Sequence, residues 1–156
     1  MVDLKAVAKE QEYRCRVKSK AYSIWLAKLF PANLLLVVGA AIFALISGSA
    51  NLFQIGDYDY TLIAGILGLL SAVFTIIHTK LKCDEHQAEC KGLKSKFESM
   101  AEQYLGLRTF DNEDVFRKKL QELDKEFSKI LAEANAQPSN KAVSKAKEFL
   151  LNSAIP

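Results

Sequence analysis

The apolar positions of this chain repeat with three different rhythms. Between Val2 and Phe30, the residues Leu4, Val7, Ala8, Cys15, Tyr22, Trp25 and Leu29 gather near one side of a helical wheel, with basic residues between them and no Gly or Pro. That spacing predicts a basic amphipathic helix over residues 1–30. Two nearly unbroken apolar runs follow, ANLLLVVGAAIFALISGSA from Ala32 to Ala50 and YTLIAGILGLLSAVFTIIH from Tyr60 to His78. Each holds 19 residues, and at ~1.5 Å per residue each reaches ~28 Å, close to the thickness of a bilayer's hydrocarbon core. A backbone in lipid must satisfy its hydrogen bonds internally, so both runs are predicted to be transmembrane helices despite their β-branched residues. Asn51–Asp59 between them is polar, contains a glycine and is long enough only to turn the chain back.

The third rhythm begins beyond the second run. Cys83, His86, Cys90, Leu93, Phe97, Met100, Tyr104 and Leu107 alternate spacings of three and four, a coiled-coil-like seam with Lys80, Asp84, Glu89, Lys91, Lys94, Lys96 and Glu98 off it. The second span is therefore expected to continue as one helix over residues 60–107, ended by Gly106 in a left-handed conformation. Asp111 is placed to cap a further helix over 111–136, with Phe110 stapling onto Val115 and Phe116, Leu120, Leu123, Phe127, Ile130 and Ala134 on its inner face. Gln137-Pro138-Ser139-Asn140 breaks the pattern. Residues 137–156 then offer a tail or a short helix, Lys141–Asn152, with Ala142, Ala146, Phe149 and Leu150 inward. Pro31 marks either a new helix start or a kink. Residues 1–136 read as one unit made of these pieces (1–30, 32–50, 60–107 and 111–136).

Charge sharpens the picture. The 51 residues from Leu29 to Thr79 contain no Lys or Arg and only two acids, Asp57 and Asp59, so 37 of the other 105 residues are charged. A chain folding in water spreads charge along its length, because every surface element needs a wet face; this segregation predicts an all-α membrane protein, a two-transmembrane helical hairpin extended by a cytoplasmic helical bundle. Residues 1–28 carry seven basic side chains against three acids, residues 79–96 carry five lysines, and the loop carries none, which places both termini in the cytoplasm. Tyr22, Trp25, Tyr58 and Tyr60 flank the spans and suit a headgroup interface, although Tyr22 and Trp25 suit packing against neighbouring helices equally well. Three cysteines are too few for a disulfide framework, and no cleavage-like site precedes the first run, so the chain is expected to stay whole.

Small residues mark how the spans meet. Ala40, Ala44 and Gly48 recur at fourth-residue spacing on the first, and Ala64, Gly68 and Ala72 on the second. Such stripes let backbones approach closely, which drives helix association in lipid. On the second span Thr61, Ala64, Gly65, Gly68, Ser71, Ala72, Thr75 and His78 form a small, weakly polar face. It lines a water path if several copies assemble, or it packs within one chain. Two helices cannot enclose a channel, so a pore requires a homo-oligomer. Neither span contains Asp, Glu, Lys or Arg, which disfavours a proton relay or charge-selective transporter. Cys15, Cys83, His86 and Cys90 make a conceivable zinc set, but the last three belong to the apolar seam and lack the close pair typical of zinc motifs, so no metal is expected. No nucleophile motif or phosphate-binding glycine loop occurs, so neither an enzyme nor a cofactor is expected. The net charge of +3 comes from basic residues that serve topology and anionic lipid before nucleic acid.

A basic first helix with Arg14, Arg16, Tyr22 and Trp25, two spans on a short loop, a helix carrying His86-Gln87-Ala88-Glu89-Cys90-Lys91-Gly92-Leu93 and Phe97, and a capped helix at Asp111–Ala136 together resemble the bacterial SLATT proteins. These are the SMODS- and SLOG-associating two-transmembrane effectors. The resemblance covers residues 10–135 and rests on layout and a loose His-to-aromatic pattern. It implies an inner-membrane effector of anti-phage defence and abortive infection that oligomerises and forms a pore or disrupts the membrane when a partner fires. The implied partner is encoded nearby: a nucleotide second-messenger synthase, a SLOG-type sensor or a reverse transcriptase. Residues after Gln137 are too few for a fused sensor, so the trigger is expected from another chain, from a small ligand in the bundle, or from both. The competing expectation is a membrane-anchored adaptor whose bundle recruits a partner.

Overall fold

The structure, a computed structural model, describes residues 3–50 and 61–153. The segment linking the two apolar runs, with Tyr58 and Tyr60, lies outside the described residues. The described chain is helical throughout, with no strand: α1 (Leu4–Ala50), α2 (Thr61–Lys80), α3 (Cys83–Leu107), α4 (Glu113–Glu133) and α5 (Asn140–Ser153). It divides into two compact units, Met1–Ala27 with Ala88–Pro156, and Lys28–Gln87.

The first unit is a bundle built from the early part of α1, most of α3, and all of α4 and α5. The seam of α3 is its spine, with Cys90, Leu93, Phe97, Met100, Tyr104 and Leu107 all buried. Against it α4 turns Phe116, Leu120, Leu123, Phe127 and Ile130, the face its sequence spacing predicts. From α1 come Ala8, Cys15, Val17, Ala21 and Tyr22. Tyr22 is a core residue of this bundle, 3% exposed, so its placement as an interface anchor is corrected. Its ring stacks on Phe97 at 5.9 Å, and its hydroxyl donates to the Ala136 carbonyl at 2.8 Å. A buried phenol needs such an acceptor, and the chain leaving α4 provides it. Trp25 is half-buried. Glu89 fastens the same stretch, its carboxylate accepting from the Asn135 and Ala136 backbone N–H groups.

Helix ends differ in detail from the sequence expectation. Asn112, not Asp111, caps α4, its side chain accepting from the backbone N–H of Asp114 and Val115. Phe110 and Val115 both stay exposed. Gly106 lies inside α3 without a left-handed backbone, and the helix ends one residue later, where the Thr109 hydroxyl donates to the Gly106 carbonyl. Ser139 caps α5 through the Ala142 N–H. Ala142 and Ala146 are buried as expected, and Leu150 packs against the cluster of Val17, Ala21 and Ala146, but Phe149 has half its surface exposed.

Two findings concern the long helices. Pro31 does not start a new helix: α1 runs through it from Leu4 to Ala50, which leaves the kink as the reading of this proline. The continuous helix expected over residues 60–107 is instead two, because Leu81 and Lys82 form a turn in which Lys82 takes a positive φ of 46°. That conformation costs a residue with a Cβ roughly 1 kcal/mol or more. An ion pair between Lys82 Nζ and Glu85 at 2.9 Å and the bond from His86 N–H to the Lys82 carbonyl restart the helix beyond it.

In the second unit, the later part of α1 lies antiparallel to α2. Two helices of the described chain are long and apolar enough to cross a membrane, and only 6% of the most apolar window of each is buried. Leu35, Leu45, Leu62 and Leu69 are each more than two-thirds exposed, the reverse of an internal core helix.

Candidate functional site

The face joining α1 to α2 is built from small and hydroxyl side chains. Ser47 donates its hydroxyl to the Ala64 carbonyl, and Ser71 donates to the Ala40 carbonyl, each at 2.8 Å. Both bonds run from one helix to a main-chain oxygen of the other, which requires close backbone approach and gives two part-buried hydroxyls an acceptor. Glycines make that approach possible. A Cβ on Gly68 would lie 3.1 Å from Ser47 Oγ, and one on Gly39 would lie 3.1 Å from the Phe74 ring. Phe74 in turn meets Phe43 edge to face at 5.5 Å.

Of the residues that sequence spacing assigned to packing or pore lining, Ala40, Ala64, Gly68, Ser71 and His78 are covered to some degree. Ala44 and Gly48 are exposed, and nothing lies within 4 Å of a Cβ built on Gly48, so within one chain Ala40 is the member of that stripe that meets α2. Gly39, Ala40, Phe43 and Ser47 make the contact. The signal that finds this stripe is the serine: a hydroxyl inside an apolar run must bond something, and Ser47 stands where the other helix can accept. On α2, Thr61, Gly65, Ala72 and Thr75 remain exposed. They form a second small face beside the packed one.

A polar cluster closes one end of this unit. Asn33 Nδ2 donates to Asp84 Oδ1 at 2.7 Å, and His78 Nε2 lies 3.5 Å from Asp84 Oδ2. Gln87 donates to the Leu29 carbonyl, two residues before Pro31. These contacts tie α1, α2 and the start of α3 together across the turn at Lys82.

The bundle presents a groove of about 620 Å³ between α1, the end of α4 and α5. Tyr13, Val17 and Val143 give it an apolar wall, and Arg14, Lys18 and Lys147 give it three cations against Glu10. Arg14 is committed to Glu10 at 3.0 Å. Nearby, the largely buried Glu12 is held by Arg16 at 2.9 Å and Arg108 at 3.4 Å.

Cys15, Cys83, His86 and Cys90 do not gather. Cys15 and Cys90 are core residues, Cys83 and His86 are half-buried, and among the described residues no three His, Cys, Asp or Glu side chains are grouped to hold a metal. Burial pushes the Cys15 thiol from 9.0 up to about 12 and raises Cys90 as well, the opposite of an activated thiolate. Burial also pushes the Tyr22 phenol from 10.0 up to about 12. Tyr104 rises further, first through burial and then through the 2.7 Å bond it donates to Asp124. These groups bind protons more tightly folded than unfolded. Above pH ~9–10 the unfolded chain releases protons that the bundle keeps, so stability must fall as pH rises, by of order 1 kcal/mol per group per pH unit. Thermal unfolding followed by circular dichroism at pH 8 and pH 11 checks this. Combining Cys15→Ala with Tyr104→Phe should flatten the decline, and a profile identical to that of the parent chain would deny these two groups their part.

Comparison with family models, with curated proteins and with solved structures finds no match to this chain.

Proposed function

We propose that this chain is a membrane effector of a bacterial defence system. In this reading α1 and α2 cross the inner membrane as a hairpin, both termini lie in the cytoplasm, and several copies assemble to open a pore or disrupt the bilayer when a partner protein signals. The observation that carries the reading is the face of α2 left over after the chain has packed on itself. Gly65, Ala72 and Thr75 are small or hydroxyl-bearing and exposed, whereas a helix that served only as an anchor has no need of anything but large apolar side chains there. The resemblance in layout to SLATT proteins adds the defence context and the class of partner.

Gly65→Leu tests it. Nothing lies within 4 Å of a Cβ at this position, so the variant keeps the α1–α2 contact while filling the exposed face. Cells expressing the parent chain with its neighbouring genes should depolarise on phage challenge, read by a potential-sensitive dye, and cells expressing the variant should hold their potential. Unchanged depolarisation would remove this face from the mechanism.

The second reading, an adaptor whose bundle recruits a partner, is favoured by the cationic groove beside α5. It predicts that unrelated transmembrane helices can replace residues 32–78 without loss of protection. A swapped chain that no longer protects, though still in the membrane, would sink it.

A further inference from the structure

We propose that Asn33, His78 and Asp84 form a binding site for a divalent first-row transition-metal ion of the Zn²⁺ kind, seated where α1, α2 and the start of α3 meet. All three residues belong to one compact unit, Lys28–Gln87. The site stands whether the chain is an effector or an adaptor, because it rests on donor atoms and not on what the spans do.

Unpaired acceptors point to it. Among the described residues four buried side-chain polar atoms have no hydrogen-bond partner: Gln11 Oε1, Trp25 Nε1, Asn33 Oδ1 and His78 Nε2. The last two stand on side chains that meet one carboxylate, Asp84. A buried polar atom left unpaired is costly, so two at one place share the need of a partner. Asp84 does not supply it. His78 Nε2 is 3.5 Å from Asp84 Oδ2, too long for a strong hydrogen bond, and Asn33 Oδ1 is an acceptor beside another acceptor. Asn33 Oδ1, His78 Nε2 and Asp84 Oδ2 make three acceptors, and a water molecule has two hydrogens to give them. A cation serves all three.

Distance and donor type name the ion. Two ligands held at ~2.0–2.1 Å in tetrahedral geometry lie ~3.4 Å from each other, close to the 3.5 Å between His78 Nε2 and Asp84 Oδ2. An imidazole nitrogen beside carboxylate and amide oxygens suits Zn²⁺ and its first-row neighbours, whereas Ca²⁺ and Mg²⁺ take oxygen ligands. Asp84 is prepared for the role. Its Oδ1 accepts from Asn33 Nδ2 at 2.7 Å, and a ligating carboxylate is commonly oriented by such a bond. Among the described residues no lysine or arginine pairs with Asp84; Lys82, two residues earlier, is taken by Glu85 at 2.9 Å. The Asp84 side chain is 73% exposed, which gives an ion a way in from water. Only two of the donors, His78 and Asp84, are of the residue types that most often bind metal; the third is an amide, and the three are scattered over 51 positions of the chain. Once bound, the ion would tie α1 to both sides of the turn at Lys82.

Zinc titration of the untagged full chain in phosphatidylcholine nanodiscs, followed by isothermal calorimetry with empty nanodiscs as the blank, tests the proposal. Expected is one Zn²⁺ per chain. His78→Gln and Asp84→Asn should each weaken binding at least tenfold, and His86→Gln and Cys83→Ser should leave it unchanged. Asn33→Asp puts a charged oxygen in place of the neutral amide oxygen and should bind Zn²⁺ more tightly than the parent chain, a gain that misfolding cannot imitate. Binding that survives in His78→Gln and Asp84→Asn would overturn the site. Its loss in His86→Gln or Cys83→Ser would put the ion elsewhere on α3 and overturn it as well. Weaker binding by Asn33→Asp, or no saturable uptake by the parent chain, would do the same.

Discussion

Phe97→Ala will destabilise the bundle by about 3–5 kcal/mol, the usual cost of emptying a buried aromatic site. Phe97 is 0% exposed and stands where three helices meet. Tyr22 of α1 stacks on one face at 5.9 Å, Phe127 of α4 meets it edge-on at 5.9 Å, and the Lys18 ammonium lies 5.6 Å from its centre. Truncation therefore removes more than the area of one side chain: two aromatic contacts, each worth roughly 0.5–1.5 kcal/mol, lose their common partner. Nor can the site collapse easily, since Tyr22 is pinned by its bond to Ala136. Domains commonly have only 5–15 kcal/mol of stability, so the loss should be visible as a large drop in the denaturant midpoint of the helical signal. Phe97→Leu, which keeps most of the volume, should cost less than half as much. A loss under ~1 kcal/mol for Phe97→Ala would mean that the three helices do not converge on this ring.

The same residue shows how far the sequence could be read. From Cys90 to Leu107 the seam spacing is met by burial at every position, because a helix packed along its length must repeat its apolar residues at three and four. Cys83 and His86 carry the spacing yet are only half-buried. They follow the turn at Leu81–Lys82, and nothing in that stretch announces a break: it has neither Gly nor Pro, and the left-handed residue is a lysine. Tertiary contacts, Asn33 and His78 to Asp84 among them, hold a conformation that local propensity disfavours. Periodicity likewise shows that α1 has small residues to pack with but not which stripe is used. Ala40 belongs both to the assigned stripe with Ala44 and Gly48 and to the one that makes contact. The choice falls to the side that offers Ser47 an acceptor and Phe43 an aromatic partner, facts about α2 that no single-helix pattern contains. Tyr22 escaped for a related reason, since its amphipathic ring satisfies a membrane edge and a bundle core equally until Phe97 and Ala136 are placed beside it.

Gly68→Leu should part α1 from α2. The leucine Cβ would arrive 3.1 Å from Ser47 Oγ, and its remaining carbons would need the space that oxygen occupies. Ser47 must then rotate away from the Ala64 carbonyl or the helices must separate; in either case a 2.8 Å interhelical bond is lost. Separation also strains the second bond, Ser71 to the Ala40 carbonyl, two helical turns along. Each such bond contributes roughly 0.6–2 kcal/mol in a membrane, and tight backbone packing is lost with them. Axis distances between packed helices span about 8–10 Å according to the side chains at the contact, so a widening of about 2 Å is expected. Pulsed electron paramagnetic resonance between nitroxides at the exposed Leu45 and Leu62, with Cys83 replaced by serine, would read it as a longer and broader distance distribution. Gly65→Leu, on the exposed face, should leave that distribution where it was. If the two variants give the same distance as the parent chain, the small residues of α2 do not set the approach of α1. If both lengthen it equally, the packed and exposed faces are not distinct, and the case for a face reserved for other copies falls with them.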